Sequence, residues 1–290
     1  MKVSIVSDEI SADPETAFEL GTRWKVPFYE LRSVGVERVP MLSPFQEQLL
    51  LEAIETYQVK IVAISPGLFK FPLPARERNR FPVAAIDRAI FEGWRNAQEA
   101  ARYHLEEVLP ASIQFARRLG TNLIISFGFD RGDRPAGEAP DEVLDILHKA
   151  AELVGQAEMT LAIEVEDGHW ADTGRRAAEL IRAVDHPALK VNWDPGNTAA
   201  SGEAPFPDGY LAVREYVRHV HVKDVVLHPQ GGYHYAVQGD IDWAEQLRAL
   251  AEDGYDGYLS VETHMRPKVE SARAMLGRLR AILAQLETEG

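Results

Sequence analysis

VRHVHVKD, residues 217–224, places valine beside imidazole and charge in a single short run. Side chains along a strand point to opposite faces with period two. His219, His221 and Lys223 therefore share one face, and Val220 and Val222 the other. Two architectures accept such a strand. In one it lies at a sheet edge with a wet polar face. In the other it is a barrel strand, with valines packed outward on helices and a polar face turned to a functional interior. The rest of the chain separates them.

Seven further runs read as strands: KVSIVS (2–7), FYELRS (28–33), KIVAIS (60–65), NLIISF (122–127), LAIEVE (161–166), LKVNWD (189–194) and YLSVET (258–263), with HVHVKD (219–224) as the core of the eighth. Between them lie amphipathic stretches such as SPFQEQLLLEAIETYQ, DEVLDILHKAAELVGQ and DWAEQLRALAEDG. Ser43, Asp141 and Asp242 read as helix N-caps, and Gly120 and Gly254 as helix stops. Alternating strand and helix predicts parallel sheet. Eight such units of about 36 residues each suit a (β/α)8 TIM barrel. The competing open, doubly wound sheet would carry a glycine-rich turn after its first strand. SDEISADPET stands there instead, without glycine. We therefore expect an α/β chain folded over 1–290 as one TIM barrel, with a long insertion after strand 3. That insertion runs from Pro66 to about Glu107, longer than an ordinary strand–helix loop. Its first half, with Lys70, Arg76, Arg78 and Arg80, reads as an extended basic lid, and its second half as helix.

Composition narrows the function classes. The 290 residues are 46% hydrophobic and 26% charged, enough for a full core. No run approaches the roughly 18 apolar residues of a membrane helix. The first residues, MKVSIVSDEI, lack the apolar stretch and cleavage site of a signal peptide. There is no cysteine, so disulfides, thiolate metal sites and a cysteine nucleophile are excluded. A cytoplasmic location is expected. A net charge of −14 disfavours nucleic acid as a partner. No membrane is expected as a partner, and a second copy of the chain is one option.

Strand parity then locates the chemistry. Glu30 and Arg32 share a face, as do Glu164 and Glu166, Asn192 and Asp194, and Ser260, Glu262 and His264. In a barrel those faces point inward, and the polar residues cluster at the C-terminal strand ends, where barrel enzymes do chemistry. Glu164, Asp194, His221 and Glu262 supply three carboxylates and one imidazole. Crowded carboxylates repel, and a divalent cation relieves the repulsion. An oxygen-rich set with one nitrogen suits Mn²⁺ or Mg²⁺, with Co²⁺ or Zn²⁺ as further options. The alternative is a set of interior ion pairs with Lys190, Arg32 and Lys223. By the same parity Trp193 faces the helices and belongs to the core.

AIEVEDG, VNWDPGN, HVHVKD and YLSVETH, in this order on consecutive strands, resemble the xylose isomerase-like barrel superfamily, and within it the sugar phosphate isomerase/epimerase group. FYELRSV and FARRLGTN extend the resemblance over nearly the whole chain. The resemblance implies that Glu164, Asp194, His221 and Glu262 bind one metal ion and that Glu164 and Glu262 transfer protons. Glu166, His169, Asn197, Lys223, His264 and Arg32 are then placed to bind substrate. Asn197 stands where many ketose epimerases carry histidine, and VVLHPQGG follows Asp224 where they carry an arginine. The implied activity is isomerisation or epimerisation of a small hydroxy-carbonyl compound through a metal-stabilised enediolate. Expulsion of a β-substituent from the same enediolate would make the enzyme a dehydratase. Metal-assisted phosphoester hydrolysis and non-catalytic sugar binding are the remaining readings.

Overall fold

The computed structural model describes residues 1–73 and 97–289. Eight parallel strands close into a barrel: β1 Lys2–Val6, β2 Phe28–Leu31, β3 Lys60–Leu68, β4 Leu123–Phe127, β5 Thr160–Glu164, β6 Leu189–Trp193, β7 Val217–Val222 and β8 Tyr258–Val261. Each pairs with its sequence neighbours, and β1 closes the ring on β8 with Ile5 opposite Val261. All eight strand expectations are met, and the fold is a TIM barrel. The helices on its outside include α1 Pro14–Arg23, α2 Pro44–Tyr57, α3 Ala97–Tyr103, α4 Leu109–Arg118, α5 Asp141–Gln156, α6 Gly174–Val184, α7 Pro195–Ala200, α8 Trp243–Glu252 and α9 Lys268–Glu289.

Local chemistry sets the helix ends. Ser43 caps α2 in a reciprocal capping box with Gln46, and Asp242 accepts from the Glu245 amide at the start of α8. At α5 the cap is Pro140 and Asp141 is the first helical residue, so the helix begins one residue earlier than expected. Gly120, just past α4, and Gly254, just past α8, take φ of +72° and +75°. That left-handed conformation suits glycine because it has no Cβ.

The insertion after β3 also differs in its boundaries. Pro66 and Gly67 continue β3 rather than opening a loop. Residues 74–96, which include Arg76, Arg78 and Arg80, lie outside the described residues. Beyond them α3 runs into α4 through one π-helical turn, His104–Val108. Pro110 explains that turn. It has no amide hydrogen for Glu106 and its ring crowds that carbonyl, so the preceding turn widens instead of breaking.

The core has two layers of different character. Outside the strands, Tyr29, Val191, Trp193, Val220 and Val261 pack under the helices, all fully buried. Trp193 donates to Gln246 at 3.1 Å, as its parity predicts for a core residue. Inside the barrel, one side is filled by Ala63, Leu123, Ile125 and Ala162. The opposite side is polar, with Ser4, Glu30, Asn192, His219 and Ser260 all at most 1% exposed. Two short antiparallel hairpins were not visible in the sequence: Ser33–Val34 with Glu37–Arg38, and Asp224–Leu227 with Tyr233–Ala236. The second begins right after Lys223, so β7 ends at Val222, and His234 lies on the hairpin's second strand. Among the described residues no helix is long and apolar enough to cross a membrane.

Candidate metal centre

Four strand ends converge at the C-terminal mouth of the barrel. β5 delivers Glu164, β7 delivers His221, and Asp194 and Glu262 are the first residues beyond β6 and β8. One ligand-type atom from each of these four lies within 4.8 Å of all the others. His221 Nδ1 stands 3.2 Å from both Glu164 Oε1 and Glu262 Oε2, and 3.9 Å from Asp194 Oδ2. All four residues are at most 4% exposed.

Neighbouring groups decide which oxygens face the centre. Asp194 is also the N-cap of α7, and its Oδ1 accepts the Asn197 amide at 2.9 Å, which leaves Oδ2 inward. Arg32 donates to Glu262 Oε1 at 2.5 Å, and His264 Nε2 lies 3.3 Å from the same oxygen, which leaves Oε2 inward. Neither Asp194 Oδ2 nor Glu262 Oε2 has a hydrogen bond, although both are buried. Their partner is the ammonium of Lys223, which forms ion pairs 2.9 Å from Asp194 Oδ2 and 2.7 Å from Glu262 Oε2. Two buried carboxylate oxygens neutralised only by one ammonium, a third from Glu164 and an imidazole nitrogen fit one divalent cation with oxygen-rich coordination.

The electrostatics agree. Burial, helped by Glu164 and Glu262, pushes the Asp194 carboxyl up to about 6 against the pull of Lys223 and His221. Burial would lower Lys223, but Asp194, Glu262 and Glu164 hold its ammonium well above the usual lysine range. Burial would likewise raise Glu262, yet His264, Lys223 and His221 keep it well below the usual carboxylate range. The site is a knot of negative charge held by one lysine and one histidine.

The remaining predicted site residues ring this knot. Glu166 pairs with Lys70 at 2.9 Å and accepts from Asn197 Nδ2 at 2.9 Å, and Asn197 also donates to the Val165 carbonyl. Burial opposes it, but Lys70, Lys223 and His169 hold Glu166 down at about 2. His169 is 5% exposed, and its ring lies 5.7 Å from that of Phe127. His264 stands at the opposite rim, its ring 5.3 Å from that of Tyr235 on the second hairpin. Arg32 is drawn away from open space by Asp8, by Glu9 at 2.9 Å and by Glu262. Sequence reasoning placed Glu30 inward but gave it no role. It also passed over Asp8 and Glu9, although SDE directly follows β1 and so sits at the mouth.

Close approach explains one glycine. A Cβ on Gly196 would lie 2.7 Å from Lys223 Cγ, so the Asp-Pro-Gly-Asn turn must carry glycine for the lysine stem to pass.

Known proteins resemble this chain in sequence and in fold. A 3-dehydroshikimate dehydratase of Bacillus anthracis is 29% identical over 106 residues, 36% of this chain and 38% of the relative. An L-ribulose-5-phosphate 3-epimerase of Escherichia coli is 26% identical over 206 residues, 67% of this chain and 66% of the relative. The chain thus spans under two thirds of either. The crystal structure of a xylose isomerase-like TIM barrel protein from Mycobacterium smegmatis in complex with magnesium superposes with a TM-score of 0.68 at 15% identity, covering 93% of this chain and 88% of the other. The match to the family is broader than any of these pairings, running over residues 27–282, from just before the strand of Glu30 into the last helix. The chain belongs to the xylose isomerase-like TIM barrel family.

Proposed function

We propose that the protein is a divalent-metal-dependent isomerase or epimerase of a small sugar or related hydroxy-carbonyl compound. The observation that carries this reading is the pair Glu164 and Glu262, each 3.2 Å from His221 Nδ1 and supplied by strands on either side of β6 and β7. When bound by Glu164, Asp194, His221 and Glu262, Mn²⁺ or Mg²⁺ supplies Lewis acidity toward a carbonyl and its neighbouring hydroxyl. The magnesium complex of the Mycobacterium smegmatis protein supports that choice of ion.

The chain's own groups then handle the proton. One glutamate removes hydrogen from the carbon beside the carbonyl, and the other returns a proton, to the same carbon for epimerisation or to its neighbour for isomerisation. Arg32 and His264 fix Glu262 through Oε1, so Oε2 keeps one direction. Lys223 holds positive charge beside both reacting oxygens. Glu166, Asn197, His169 and Lys70 form the rim that receives substrate hydroxyls. The Escherichia coli epimerase supports this chemistry.

A second reading, dehydration of an inosose-like or keto-sugar substrate, is favoured by the Bacillus anthracis dehydratase. It begins with the same C–H cleavage and ends when a β-hydroxyl leaves as water, with Lys223 as the nearest proton source. One experiment separates the outcomes: turnover of ketoses, inososes and hydroxypyruvate in D₂O with Mn²⁺ present. An isomerase or epimerase places deuterium on the α-carbon or, if the proton returns unexchanged, shows a primary isotope effect with α-deuterated substrate. A dehydratase releases water. Glu164→Gln and Glu262→Gln should each lower turnover by about 10²-fold or more. Full activity in both variants would sink the two-glutamate scheme. Metal-dependent phosphoester cleavage without exchange or isotope effect would replace it with a hydrolase.

A further inference from the structure

Beneath the metal centre lies a buried polar column that closing the barrel does not require, since alanine, leucine and isoleucine fill the other side of the same interior. Its centre is Glu30, on β2 and 1% exposed. An isolated buried carboxylate is costly and persists only with strong partners. Glu30 Oε2 lies 2.9 Å from His219 Nε2 and 3.0 Å from His221 Nε2, and Oε1 lies 3.3 Å from His221 Nε2.

An ionised carboxylate only accepts hydrogen bonds. Both histidines must therefore present Nε2–H to Glu30. The other nitrogen of His221, Nδ1, faces Glu164 Oε1 and Glu262 Oε2 at 3.2 Å, and a cation bound there takes its lone pair while the one remaining ring proton stays on Nε2. We propose that Glu30 is the positioning residue of His221: it holds the ring proton on Nε2 and so turns the Nδ1 lone pair to the cation. His219 braces the same oxygen from below. Its Nε2 also lies 2.9 Å from Ser260 Oγ, which meets Ser4 Oγ at 2.7 Å across the β1–β8 seam. The assignment rests on reading Glu164, Asp194, His221 and Glu262 as a cation site. Carboxylates that bond the second nitrogen of a ligating histidine fix its tautomer and raise its basicity.

The test has two parts. The first needs no substitution. In Mg²⁺-loaded protein labelled with ¹⁵N-histidine, long-range ¹H–¹⁵N spectra should show His221 protonated on Nε2 and bare on Nδ1. A proton on Nδ1 overturns the proposal. The second reads Mn²⁺ affinity from the electron paramagnetic resonance of the free ion, for folded protein only. Glu30→Leu should weaken binding by about 100-fold, and Glu30→Gln, which keeps one acceptor, by about 10-fold. A packing role alone would lower the melting temperature of both variants and leave affinity within twofold, and that result also overturns the proposal. If Glu30→Leu does not fold, Glu30→Gln and the wild-type spectrum decide. Failure of the wild type to bind either ion would refute the cation site itself, an outcome distinct from a normal wild type with an indifferent Glu30 variant.

Discussion

Lys223→Met removes the one ammonium inside the carboxylate knot while keeping an unbranched stem to pack beside Gly196. Nζ lies 2.7 Å from Glu262 Oε2 and 2.9 Å from Asp194 Oδ2, and the residue is 1% exposed. At an effective dielectric of about 20, each contact is worth roughly 6 kcal/mol of attraction, from which the lysine's own desolvation, several kcal/mol, must be subtracted. Removing one partner of a buried pair typically destabilises by about 3–5 kcal/mol. For a chain of this size that lowers the melting temperature by roughly 6–10 °C, at about 2 °C per kcal/mol. This holds for chelator-treated protein. A divalent cation at the same carboxylates takes over the lysine's work, so saturating Mn²⁺ should recover most of the loss. Mn²⁺ should therefore stabilise the variant more than the wild type, by about 2 kcal/mol or more out of the 3–5 at stake. The assay is thermal unfolding of both proteins with chelator and with a Mn²⁺ series. Equal Mn²⁺-induced shifts in the two proteins would show that Lys223 and the cation do not serve the same oxygens, and the reasoning would fail.

Two further outcomes follow from groups away from the centre. His104 is fully buried, accepts the Phe69 amide on Nδ1 at 3.0 Å, and is held down to about 3 by burial and by Arg38. Its folded value lies below its unfolded one of about 6.5, so the stability it contributes is complete above about pH 6.5 and is lost as pH falls toward 3, at up to about 1.4 kcal/mol per pH unit. Urea midpoints at pH 7 and pH 5 should show His104→Gln losing about 2 kcal/mol less than the wild type between them, and equal losses would refute this. Asp224 accepts the Val225 and Ile241 amides at 2.8 and 3.0 Å and also binds Arg278 of α9, joining the end of β7 to the last helix. Asp224→Ala should cost about 3–5 kcal/mol in urea unfolding, and a cost under 1 kcal/mol would mean that solvent replaces those partners.

The sequence carries the barrel because a parallel strand covered by helices must be apolar on its outer face whatever lies within. Val220 and Val222 announce that face, and the same parity forces His219 and His221 inward. Whatever depends on one strand is therefore legible, including the four residues at the centre. What depends on register between distant strands is not. Glu30 reads as an inward glutamate, but its partners lie 189 and 191 residues away, and only the closure of the ring brings them within 3 Å. Arg32 shows the same limit. As one cation beside a cluster of acids it looks free to grip substrate, yet Asp8 and Glu9, from the turn after β1, enclose it together with Glu262. The second hairpin escapes for another reason: DVVL follows VRHVHVK without a turn signal, so nothing in the sequence marks a second strand with a different partner starting at Asp224. Such a site reveals its inward carboxylates and imidazole through parity and the groups that support them only through topology, and it is those supporting groups that decide which atom of each faces the centre.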